Sequence, residues 1–115
     1  MVHQIKEVDL EIIRQIYNLQ RSEEITTYTL AKRIFSAEGI SKKYKFYTDK
    51  TNYLDYRMEV LQKAGLIDVA KNNGRKVYTL ILNNVYFARI RKKRLNIDKV
   101  AVFLRISNKW EIFLG

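Results

Sequence analysis

At 115 residues, with 47% hydrophobic and 30% charged side chains, the chain has the make-up of one ordinary folded domain able to bury a single core. It has no cysteine and one histidine, His3, which excludes disulfide frameworks, zinc sites and Ser-His or Cys-His nucleophilic pairs. Lysine and arginine number 22 against 12 acids, a net charge of +10, which points to a partner rich in negative charge.

No run of about 18 apolar residues is present, so no membrane span is expected. The first residues, MVHQIKEVDLEII, lack the charged, apolar and small-residue regions of a signal peptide, and a cytoplasmic setting is expected. No carboxylate cluster stands out, and the four glycines are too scattered to cradle a phosphate. The expectation is a non-enzyme without metal or cofactor.

In chain order, residues 8–20 form the first helix. Ile12, Ile16 and Leu19 make one row, with Leu10, Ile13 and Tyr17 beside it, and Asp9 is the expected cap. Ile25-Thr26 allows no more than a minimal strand. Thr27 is the expected cap of a second helix over residues 28–35, with Leu30, Ala31 and Ile34 inward. Residues 41–49, SKKYKFYTD, alternate Lys42, Lys43 and Lys45 with aromatic rings. Such interleaving suits phosphate contact with stacking, or else a loop pinned to the core by its rings while its lysines are solvated.

Residues 50–67 carry the clearest local signal. Leu54, Met58 and Leu61 fall at i, i+4 and i+7, with Asn52, Tyr56, Glu59 and Lys63 opposite, and Gly65 is the expected helix stop. Residues 67–70 and 77–82 then read as a hairpin around KNNGRK. Residues 85–95 hold five basic side chains in the six positions 89–94. They lean to a helix capped by Asn84, although Val85, Tyr86 and Phe87 also suit a strand. Val100, Val102, Leu104 and Ile106 alternate along one strand, and Trp110, Ile112 and Leu114 along another, with Ser107-Asn108-Lys109 between them. This second hairpin, with one apolar face, either covers the domain's own core or pairs with another subunit.

Three segments in this order resemble the winged helix-turn-helix family. ITTYTLAKRI looks like its second helix, YLDYRMEVLQKAGLI is similar to its recognition helix, and DVAKNNGRKVYTL looks like its wing. The resemblance covers residues 8–82 and departs at residues 36–49, long for the connection between helices two and three. It implies an α+β fold: a winged helix-turn-helix of three helices and a β-hairpin wing over residues 1–83. A C-terminal extension, residues 84–115, belongs to the same single domain and contains the second hairpin. The small, basic, cysteine-free design is similar to winged-helix proteins of archaea and their viruses.

In that family the third helix enters the major groove with its early residues at base edges. By position these are Lys50, Thr51, Asn52, Tyr53, Tyr56 and Arg57, with Asn52 suited to adenine and Lys50 to phosphate. The wing offers Lys71, Asn73, Arg75 and Lys76 to the minor groove or backbone, and Thr27 and Tyr28 place the start of helix two near a phosphate. Asp55 would repel the backbone unless it accepts from cytosine.

The expected function is sequence-specific binding of double-stranded DNA by a transcriptional regulator, a homodimer through its C-terminal third. A palindromic site with half-sites about one helical turn apart would follow. The alternatives are a protein–protein interaction module and a non-specific nucleic-acid binder acting through residues 89–94.

Overall fold

The structure, a computed structural model, describes residues 4–35, 47–92 and 97–114. Among these residues the architecture is α+β, with three α-helices, a two-stranded antiparallel hairpin and a three-stranded antiparallel sheet.

Helix α1 spans Glu7–Leu19 and buries Val8, Leu10, Ile12, Ile13 and Ile16. Asp9, expected at the cap, instead sits in the first turn and reaches back. Its carboxylate accepts from the backbone N–H of Lys6, the extended cap residue, at 2.8 Å. Helix α2, Thr27–Ile34, turns Leu30, Ala31 and Ile34 inward. Its cap is Thr26, not Thr27. Thr26 Oγ1 accepts the Thr29 N–H at 3.2 Å, satisfying one of the donors that a helix start leaves over. Ile25 joins no strand, but its carbonyl accepts the Tyr78 N–H at 2.8 Å.

Helix α3, Tyr47–Lys63, presents Leu54, Met58 and Leu61 to the core, none more than 1% exposed. It stops as the sequence expects. Gly65 takes φ +80°, the Leu66 N–H bonds the Leu61 carbonyl, and the Gly65 N–H bonds that of Gln62. This paired closure satisfies two end carbonyls and sets buried Leu66 beside buried Leu61.

Strands β1, Ile67–Asn72, and β2, Arg75–Leu80, run further toward each other than expected and meet at a two-residue turn. Asn73 and Gly74 both take positive φ, 52° and 78°, the turn whose twist matches the flanking strands. Ile67, Tyr78 and Leu80 face inward.

Residues 85–92, expected to lean to a helix, form strand β3, Val85–Lys92. Val85 is buried and Phe87 half-buried while Tyr86 points out, a period of two that the following cations obscure. Asn84 therefore caps no helix; its side-chain amide donates to the Gly65 carbonyl at 2.7 Å. Strand β4, Ile97–Ile106, lies between β3 and β5, Lys109–Leu114.

The second hairpin departs from expectation in the facing of its strands. Its turn is Ser107-Asn108, both at positive φ, and Lys109 belongs to β5 opposite Ile106. Leu104 therefore pairs with Glu111 and Val102 with Phe113, whereas Trp110 lies opposite Arg105 and Ile112 opposite Phe103. The two apolar stripes fall on opposite faces of the sheet. The inner face, with Val85, Val102, Leu104 and Ile106, joins the same core as Ile12, Ile16, Ile34, Leu54 and Leu61. Tyr17 of α1 meets Phe87 with ring centroids 4.3 Å apart. The outer face carries Tyr86, Ala88, Ala101, Phe103, Arg105, Trp110 and Ile112.

Strand β5 ends opposite Ala101, so residues 89–92 and 97–100 continue as a two-stranded ribbon. Among the described residues no helix is long and apolar enough to cross a membrane.

Candidate nucleic-acid interface

The outer face of α3, the start of α2 and strand β2 enclose an open cleft of about 840 Å³. Helical spacing builds its floor. With Leu54, Met58 and Leu61 buried, Asn52, Asp55, Tyr56, Glu59 and Gln62 must emerge on the other side, and all five are exposed. Thr26, Thr27 and Tyr28 form one wall and Arg75, Lys76 and Tyr78 the other.

Of the residues expected to contact DNA, six line this cleft together: Thr27, Tyr28, Asn52, Tyr56, Arg75 and Lys76. Lys71 and Asn73 lie next to it at the exposed end of the β1–β2 hairpin. Thr51 and Tyr53 are half-buried on α3, and Tyr53 packs against the core rather than facing the cleft. Lys50 belongs to α3 by its backbone. Lys42, Lys43 and Lys45 lie outside the described residues.

Arg57, expected on the exposed face, is buried and 3% exposed. Its Nε donates to Asp9 Oδ1 at 2.8 Å, Nη2 donates to Oδ2, and Nη2 also reaches the Gln4 carbonyl at 3.1 Å. The hydrogen bond to Asp9 raises the Arg57 pKa above its ordinary value, against the opposing cost of burial. The residue is a fixed cation tying α3 to the start of α1.

Two carboxylates on the cleft floor would oppose an anionic ligand, and each has a partner. Thr27 Oγ1 donates to Asp55 Oδ1 at 2.5 Å, a charge-assisted bond linking α2 to α3. Lys63 Nζ lies 3.2 Å from Glu59 Oε1, one turn along α3. That exposed pair adds little stability, but it offsets the charge of Glu59 locally.

The hairpin end concentrates positive charge. Lys71 stands directly opposite Lys76, and Asn72 opposite Arg75. Like charges paired across strands are destabilising, and an anion set between them would relieve the repulsion. Asn72 donates to Glu24, which steadies the hairpin against the segment before α2. On the wall of α2, Lys32 Nζ sits 4.6 Å from the centre of the Tyr28 ring.

The chain matches no protein-family model, no curated protein and no solved structure.

Sequence reasoning missed the Thr27–Asp55 link and the Asp9 partner of Arg57. Neither leaves a local signal, since the partners lie 28 and 48 residues apart. Of the C-terminal basic run, Arg89, Arg91 and Lys92 belong by their backbone to strand β3, and Lys93 and Arg94 lie outside the described residues.

Proposed function

We propose that the chain is a winged-helix protein that binds double-stranded DNA in a sequence-specific way and acts as a transcriptional regulator. Helix α3 enters the major groove, which is wide enough to admit a helix. The observation that carries the reading is the cleft, where the outer face of α3 converges with Arg75 and Lys76 of the hairpin.

The roles follow from chemistry. Asn52 is exposed on the outer face and offers both a donor and an acceptor, the pattern that adenine matches in the major groove. Tyr56, 58% exposed, supplies a flat apolar face beside it. Lys71, Arg75 and Lys76, at the wing, neutralise backbone phosphates or reach the minor groove. Thr27 and Tyr28 bring the positive end of α2 toward a phosphate. Asp55, which already accepts from Thr27, keeps a second carboxylate oxygen, the group that a cytosine amino donor matches in the major groove. Arg57 fixes α3 and leaves the base contacts to its neighbours.

The test is a titration of labelled duplexes, first selected from a random pool and then scrambled, at several salt concentrations. Tight binding to selected duplexes alone supports the proposal. Equal affinity for both, with a steep salt slope, would replace it with a non-specific electrostatic mode using the β3–β4 ribbon. An absence of binding even at low salt would leave a protein–protein module as the reading.

A further inference from the structure

The outer face of the β3–β4–β5 sheet has no counterpart in the rest of the fold. Its inner face closes the core, while Tyr86, Trp110 and Ile112 remain 60%, 51% and 52% exposed on the other side. Leu82, at 63%, adjoins them and with Val85, Tyr86, Phe103 and Trp110 lines a depression of about 230 Å³. We propose that this face binds a second copy of the chain, sheet against sheet, about a two-fold axis. The inference is independent of the DNA reading.

Charge argues for this occupant. The chain carries +10, yet Arg105 is the single charge among the side chains described on the outer face. Its guanidinium Nη2 lies 3.5 Å from Asn108 Oδ1, drawn to the rim at the turn. Nucleic acid and acidic partners would both require a cationic surface, which the described side chains on the three-stranded part of this face do not form.

Area agrees. Aromatic side chains offer on the order of 150–250 Å² each, so the half-open patch amounts to roughly 500 Å², near the upper end for a lone monomer. That is the apolar centre of a standard interface, which needs about 800 Å² per partner.

The depression and the exposed Tyr86, Trp110 and Ile112 adjoin one another, so a two-fold rotation can set the apolar patch of each copy against that of the other. A two-fold interface needs such a self-matching surface. Two sheets packed in this way lie about 10 Å apart, with the outer-face side chains filling the gap.

Trp110 is the only tryptophan, so its emission reports on this face alone. The experiment follows sedimentation velocity and tryptophan emission of the full chain over a broad concentration range. The expected result is a mass rising from 13.7 kDa to twice that value, with a blue shift of emission in step. Ile112→Glu and Tyr86→Lys alter exposed positions and, with unchanged circular dichroism, should each hold the mass at one chain and abolish the shift. A chain that stays monomeric would overturn the proposal. So would a dimer that both variants leave intact, since that would indicate pairing along a strand edge or elsewhere. A blue shift of the monomer on adding neutral or anionic vesicles, without any rise in mass, would assign the face to lipid instead.

Discussion

Asp9 and Arg57 sit where their helices otherwise bury hydrocarbon, and their energetics follow from that position. Arg57 comes three residues after Leu54 and four before Leu61, while Asp9 comes three before Ile12 and four before Ile13. Spacing is compatible with an inward face at both positions, but nothing local names a partner 48 residues away. The winged-helix pattern instead puts Arg57, by its position in the third helix, among the residues at base edges. Removing one partner strands the other in the core. Arg57→Ala or Asp9→Ala should each cost about 3–5 kcal/mol in chemical denaturation, whereas Asp9→Leu combined with Arg57→Met should recover most of that loss. At the cleft, two exposed residues separate readout from attraction. Asn52→Ala should relax base preference in competition between related duplexes. Arg75→Ala should weaken binding about equally on all sequences and lower the salt slope by about one unit. Unchanged specificity in the Asn52 variant would mean that α3 is not the reading helix.

At the scale of elements, the helices were legible because a period of 3.6 leaves a stripe that few other structures require. The strands were less so. Reading Ser107-Asn108-Lys109 as a three-residue turn pairs Ile106 with Trp110 and puts both apolar stripes on one face. The actual two-residue turn pairs Ile106 with Lys109, and that single step carries Trp110 and Ile112 to the opposite side. The cause is local, because a two-residue turn of this twist requires positive φ at both positions, and Ser107 and Asn108 take 53° and 63°. The other hairpin meets the same demand with Asn73-Gly74, a better pair for it. Transplanting that dipeptide, Ser107→Asn with Asn108→Gly, should stabilise the fold by about 1 kcal/mol, since a side chain in the left-handed region costs roughly 1–2 kcal/mol. A rise of several degrees in Tm would register the gain. No change would mean that the second turn is not strained. Strand β3 was misread for a different reason: its alternation lasts only from Val85 to Phe87 before a run of cations hides it.

For the whole molecule, one charge balance would act on the two proposed associations in opposite directions. The proposed DNA binding would release counterions and weaken as salt rises. Joining two chains of +10 brings like charges together, a repulsion that salt screens. Dimerisation should therefore strengthen over the salt range in which DNA affinity falls, and sedimentation and anisotropy on the same samples would show the two trends crossing. Parallel trends would mean that the dimer face is polar rather than apolar. A two-fold dimer would also present two α3 helices to a two-fold site, with half-sites spaced by about one helical turn or a multiple of it. The helical core and the β1–β2 hairpin after α3 could be read from spacing and turn residues. The partition of the C-terminal sheet into a buried and an open face could not, because it depends on register.

The Asp9–Arg57 pair has a consequence for descent as well as for stability. Neither residue can be exchanged alone without leaving a charge stranded among hydrocarbon, and the two lie on different helices 48 residues apart. Positions 9 and 57 are thus a single heritable unit. Homologous chains, however far their cleft residues have drifted, should carry both partners or replace both with hydrocarbon. A chain that kept one and lost the other would have to hold α3 by different means.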